Sequence, residues 1–115
     1  MKTIQPLDNY LFVKYTEPFE LDEFLALIRE VADVCRNKSR ARVLVDVSEM
    51  SGKMSTMDRF RLGVEGAAIF RNLAQVAIVY RQQEMNRFAE TVGINRGGRV
   101  RVFGDLDTAM KWLGV

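Results

Sequence analysis

Asp46 and Glu49 stand three residues apart and are the first residues to consider as a reactive pair. Two neighbouring carboxylates can act in acid–base catalysis or hold Mg²⁺ when a fold brings them together. Asp46, however, follows an apolar run, where an aspartate commonly accepts hydrogen bonds from the backbone N–H groups of the next turn. We therefore predict a structural cap at Asp46, a solvated Glu49 and no catalytic residue.

Phosphate-binding chemistry is suggested by Gly52-Lys53 with Ser55 close behind. A phosphate-binding P-loop needs a glycine five residues before Gly52 and a serine or threonine directly after the lysine. This chain has Val47 and Met54 in those places. A dinucleotide site is equally unsupported, because no G-x-G-x-x-G pattern follows a predicted strand.

Histidine is absent, and Cys35 is the single cysteine. The lack of histidine removes the commonest general base, the Ser-His and Cys-His nucleophile pairs and most zinc or iron sites. Cys35 lies on the apolar stripe of a predicted helix, so we expect a small core residue and not a nucleophile. The sequence thus predicts a protein that is not an enzyme, with no cofactor and no metal.

The composition indicates one domain, residues 1–115, in the cytoplasm. The chain is 48% apolar and 28% charged, which suffices for one core without disulfides. No apolar run reaches the roughly 20 residues of a membrane span, and the first ten residues lack the apolar centre of an export signal, so we expect no stable membrane insertion. A net charge of +2 is too small to indicate nucleic-acid binding. An excess of arginine in the second half is interpreted as a solvated face; it comes from Arg81, Arg87, Arg96, Arg99 and Arg101.

Residues 42–60 carry the strongest structural signal, a buried strand followed by a loop and the start of a helix. The strand is an almost unbroken aliphatic run, typical of a strand covered on both faces. The loop holds three methionines, which either fold back over the core or form an apolar docking patch. Unpaired N–H groups at the helix start should point into this loop, so a ligand or partner is predicted to bind here. The predicted binding residues are Asp46, Ser48, Met50, Met54, Ser55, Thr56, Met57, Arg59 and Gly63.

Strands and helices alternate along the chain, which predicts a single α/β domain with a mostly parallel sheet of four or five strands and four helices. The first predicted strand, 10–15, is expected at a sheet edge. The other strands are predicted at 43–47, 73–80 and 100–103, and the helices at 21–35, 57–71, 84–92 and 106–113.

Gly63 and Gly66 lie inside the second predicted helix, where each glycine costs about 1 kcal/mol relative to alanine. They indicate either close packing on the sheet or space for a ligand or a partner helix. With Ala67 they would let two helices approach, so we predict a symmetric homodimer through residues 63–70. The strand edge at 11–14 is the alternative surface for pairing.

Three strings, VLVDVSEMSGKMSTMD, VAIVY and RVFGDLDTAMKWL, resemble the STAS-domain superfamily, in particular its SpoIIAA-like branch. The resemblance covers most of the chain and implies a non-catalytic STAS-like regulatory domain. In the phosphorylatable anti-sigma factor antagonists of this superfamily, a D-S-S-G motif opens the helix, and its second serine accepts phosphate. Met54, Ser55, Thr56 and Met57 stand in those four places, so the resemblance implies Thr56 or Ser55 as a phosphoacceptor.

Two functions follow from these observations. The first is binding of a small apolar or amphipathic ligand, or of a regulatory protein, near the 48–56 loop and the start of the second helix. The alternative is a partner switch of the anti-sigma factor antagonist type, controlled by phosphate on Thr56 or Ser55.

Overall fold

A computed structural model of the protein describes residues 1–81 and 88–115. The start of the helix predicted at 84–92 lies outside the described residues. The elements are β1 (Lys2–Pro6), β2 (Leu11–Tyr15), α1 (Leu21–Lys38), β3 (Arg42–Asp46), α2 (Thr56–Phe70), β4 (Gln75–Val79), α3 (Phe88–Asn95), β5 (Val100–Phe103) and α4 (Leu106–Leu113).

The strands form one sheet in the order β1-β2-β3-β4-β5. Strands β2 to β5 run parallel, and β1 is antiparallel to β2. Each parallel strand reaches the next through a helix, as expected for βαβ units. The predicted α/β class, the mostly parallel sheet and the four helices are therefore confirmed.

The edge position expected for the strand predicted at 10–15 is wrong. Residues Lys2–Pro6 pair with Leu11–Tyr15, so β2 lies between β1 and β3, and Leu11 and Val13 are fully buried. The short strand β1 is mostly exposed and forms the edge instead. Because its backbone partner is already present, β2 offers no free edge, and the alternative pairing surface at 11–14 is removed.

Strand β3 is buried on both faces, as its aliphatic sequence predicts. Val43 and Val45 pack in a cluster with α1 residues such as Val31. Leu44 points to the opposite face and packs with Ala109 of α4. Alternation along the strand thus divides the core into two layers, one under α1 and α2 and one under α4.

Helix α1 fixes the position of the larger layer. Its N-cap is Glu20, whose carboxylate accepts hydrogen bonds from the backbone N–H groups of Asp22 and Glu23. Cys35 near its end is 1% exposed, and burial raises the pKa of this thiol to about 11. The thiol is a core group, as predicted. None of the helices in the described part of the chain is long and apolar enough to cross a membrane.

Candidate ligand- and partner-binding site

Asp46 forms the predicted cap at the end of β3. Its side chain is buried, and its Oδ1 accepts hydrogen bonds from the backbone N–H of Ser48 at 3.0 Å and from the Ser48 hydroxyl at 2.6 Å. Glu49 is engaged elsewhere, because its carboxylate lies 2.7 Å from Lys14 Nζ and raises the pKa of that lysine through a hydrogen bond and its charge. The two carboxylates are therefore drawn into separate contacts. Within residues 1–81 and 88–115, no cluster of three or more His, Cys, Asp or Glu side chains could hold a metal ion.

The loop between β3 and α2 folds back onto the domain. Met50 is fully buried in the core, and the carbonyl of Ser51 accepts a hydrogen bond from Phe19 N at 2.8 Å. Met54 is half-buried, whereas Met57 is 66% exposed. The three methionines thus divide between the two expected alternatives: the loop covers the core, and the helix that follows presents an apolar side chain to solvent.

Helix α2 begins with a reciprocal cap. The Ser55 hydroxyl oxygen accepts a hydrogen bond from the backbone N–H of Asp58 at 3.0 Å, and the Asp58 carboxylate accepts one from the backbone N–H of Ser55 at 3.1 Å. Ser55 and Thr56 are exposed, and Arg59 is half-buried. This cap therefore uses some of the backbone N–H groups that were expected to point towards a ligand.

Met57, Phe60, Val64 and Ala68 follow one another at helical spacing, and we call them the α2 outer face. Phe60 is 38% exposed, and the guanidinium of Arg96 lies 5.8 Å from the centre of its ring. Ile69 and Phe70 at the end of α2 both pack, partly buried, against the core, whereas Met57 and Phe60 are exposed.

A cavity of about 80 Å³ lies beneath α2, between that helix, α1 and the sheet. Its wall is almost wholly apolar and includes Val31, Val45, Gly66 and Phe70. Of the predicted binding residues, all of which are described, only Gly63 lines it. The signal that sequence reasoning did not use was the combination of small residues on α2 with the wide apolar stripe of α1.

The two helix glycines have different surroundings. A Cβ placed on Gly93 of α3 would lie 3.6 Å from the Gly63 carbonyl oxygen, so α2 and α3 approach closely at Gly63. A Cβ placed on Gly66 would meet nothing within 4 Å. Gly63 is thus buried beside α3, whereas Gly66 has open space beside it.

The sequence model of the family described as SpoIIAA-like matches residues 10–114. This range contains every element except β1. No curated protein matches the chain significantly.

Proposed function

The chain belongs to the SpoIIAA-like family, and on that premise we propose a non-catalytic regulatory domain that binds a small apolar or amphipathic ligand beneath α2. Family membership supports a STAS-type regulatory role. The ligand, its place and its effect on partners are the proposed part.

The cavity beneath α2 is the observation that carries this proposal. Protein interiors are close-packed, so an apolar space of about 80 Å³ is unusual. It is about half as large as an engineered apolar cavity of ~150 Å³ that binds benzene. Gly66 borders it, although an alanine would meet no steric obstacle there and would stabilise the helix. A glycine in that position is consistent with keeping the space open for a ligand.

Helix α2 also lies between the proposed ligand cavity and the surface on which a partner would bind. Its inner side borders the cavity, and its outer face exposes Met57 and Phe60. A ligand that binds more tightly to one position of α2 shifts the population of that position and so changes the surface offered to a partner. The partner is a regulatory protein or a second copy of this chain that covers the α2 outer face.

Thermal unfolding with a panel of small apolar and amphipathic compounds tests the ligand. A compound present at 100 times its Kd should stabilise the fold by about 2.7 kcal/mol. Gly66→Leu places a side chain in the cavity and should abolish that shift, while Ala68→Leu on the outer face should retain it. Native mass spectrometry that shows only the unliganded mass, together with no shift across the panel, would refute ligand binding.

A phosphorylation switch is the second candidate, favoured by the exposure of Ser55 and Thr56 at the start of α2. The Ser55 oxygen is already the N-cap acceptor and lies beside Asp58, so a phosphate there would disrupt the cap and repel a carboxylate. Thr56 is the better acceptor of the two, since phosphate near a helix N-terminus is electrostatically favourable. Incubation with cognate kinases, followed by mass spectrometry of wild type and Thr56→Val, decides the question. The absence of phosphate at both residues would end the proposal.

Gly63 and Ala67, which were expected to let two copies of this helix approach, are buried and line the cavity instead. We therefore propose self-association through the α2 outer face. Light scattering at micromolar concentration should detect a dimer that Phe60→Glu dissociates. The matched control is Arg36→Glu on α1, because Arg36 is exposed and lies outside the proposed surface. A monomer in wild type, or a dimer indifferent to Phe60→Glu, would refute this surface.

A further inference from the structure

A second depression adjoins the cavity beside β5, the last strand in the sheet order. This groove, about 410 Å³ in volume, opens beside β5 and shares four wall residues with the cavity beneath α2. The shared residues are Glu90, Gly98, Arg99 and Val100. The apolar space and the open groove therefore border the same residues at the start of β5.

The groove has a different chemical character from the cavity. Arg99 and Arg101 are exposed in its wall, and the half-buried Gln75 and Trp112 also line it. Over residues 1–81 and 88–115, no carboxylate lies within 4 Å of either arginine. The Arg101 guanidinium lies 5.7 Å from the centre of the Phe103 ring, which leaves its N–H groups able to bind an anion.

Glu90 is the acidic residue shared by the two walls, and its carboxylate is engaged. It accepts a hydrogen bond from the backbone N–H of Val102 at 2.7 Å, on the side of β5 that faces away from β4. This contact ties the carboxylate to the strand. The wall of the groove thus carries two arginines and one carboxylate that already accepts a hydrogen bond, so the groove favours a negatively charged group of a ligand.

We propose that the ligand is a single-chain amphiphile with an anionic headgroup. The end of its apolar chain lies in the cavity beneath α2, and the rest of the molecule lies in the groove, with its carboxylate, sulfate or phosphate beside Arg99 and Arg101. This inference rests on the proposed ligand-binding function and adds the charge of the headgroup and its place. An ionised headgroup stays in the wet groove because burying it would be costly, whereas the chain gains by leaving water.

Three probes with the same ten-carbon chain test the headgroup: decanoate, decanol and decyltrimethylammonium, each below its micelle-forming concentration. Trp112 is the single tryptophan and lines the groove, so its fluorescence reports binding there. Decanoate should bind about fivefold more tightly than decanol, the scale of a partly solvated ion pair, and the cationic probe more weakly than decanol.

The double variant R99Q/R101Q should bind decanoate and decanol equally. Arg42→Gln is the matched control, because Arg42 is exposed and lines neither the cavity nor the groove. It should leave the preference for decanoate intact. Circular dichroism and the melting temperature verify that each variant is folded.

The outcomes separate the two proposals. Equal binding of decanoate and decanol to wild type, or a preference that survives in R99Q/R101Q, would overturn the anionic headgroup while leaving ligand binding in place. Displacement of decanoate by an equal concentration of inorganic phosphate would also overturn it, because the groove would then bind a free anion without a chain. Failure of all three probes to bind would overturn the ligand-binding function and this inference with it.

Discussion

Replacing Gly66 by alanine should stabilise the fold, although Gly66 borders the cavity. Glycine inside a helix costs about 0.8–1.0 kcal/mol relative to alanine, because it loses more backbone freedom on folding. A Cβ at this position meets nothing within 4 Å, so no steric cost offsets the gain. Gly66 is among the last five residues of α2, which ends at Phe70. Fraying of the helix end reduces the effect of the substitution there. We expect an increase of about 0.5–1 kcal/mol in the free energy of unfolding.

The corresponding change in melting temperature follows from the chain length. At about 2.1 cal/mol/K per residue, 115 residues have an unfolding entropy of about 0.24 kcal/mol/K. A gain of about 0.5–1 kcal/mol therefore raises Tm by about 2–4 °C. Urea unfolding gives the free energy directly, and differential scanning calorimetry gives Tm.

Gly98→Ala is the matched control. Its Cβ would lie 2.9 Å from the Gly93 carbonyl oxygen and 3.4 Å from Ala67 Cβ, so the backbone would have to shift. We expect a loss of about 1–3 kcal/mol, typical of overpacking. Destabilisation by Gly66→Ala, or the same effect from both substitutions, would refute the position assigned to α2. If the cavity binds a ligand, Gly66→Ala should also weaken that binding while it stabilises the free protein.

Three further predictions concern local contacts. Burial raises the pKa of Cys35 from 9.0 to about 11, so folding favours the neutral thiol. The stabilisation of the fold by this thiol is complete below pH 9 and is lost as the pH rises towards 11. Urea unfolding at pH 8 and pH 10.5 should show a steeper loss for wild type than for Cys35→Ala, and equal losses would contradict the burial. Asp46→Ala removes the acceptor of both Ser48 hydrogen bonds and should lower the free energy of unfolding by about 1–3 kcal/mol. A loss of less than about 0.5 kcal/mol would argue against the cap. Ser55→Ala should cost about 1 kcal/mol, whereas Ser55→Asp should cost much less because aspartate also caps helices; comparable losses measured by circular dichroism would contradict the cap at Ser55.

Features that depend on neighbours in sequence were predicted well. The aliphatic run at 43–47 identified a strand buried on both faces, because such a run has no polar side to present to water. The second helix was predicted at 57–71 and begins at Thr56, one residue earlier, behind a cap formed by residues of a single turn. Asp46 was predicted as a cap for the same reason, because its Oδ1 accepts hydrogen bonds from the backbone N–H and the hydroxyl of Ser48, only two residues away.

Features that depend on distant partners were decided by the tertiary structure. The polar segment Lys2–Pro6 becomes a strand because β2 supplies its hydrogen bonds, and nothing local to the segment shows that partner. Met50 and Met57 have the same side chain, yet one is fully buried and the other 66% exposed, because packing of the loop against Phe19 directs the first inward.

In the candidate site too, some features depend on the local sequence and others on distant parts of the chain. The sequence identified Gly63 and Gly66 as anomalous within a helix, but only the structure shows that Gly63 is buried beside α3 and that Gly66 has open space beside it. The cavity exists only where α1, α2 and four strands meet, and Arg99 reaches its rim because β5 lies at the end of the sheet. Helix propensity and capping act within a few residues, whereas a cavity is the volume that separate elements leave between them, so its position follows from their packing and not from any one segment.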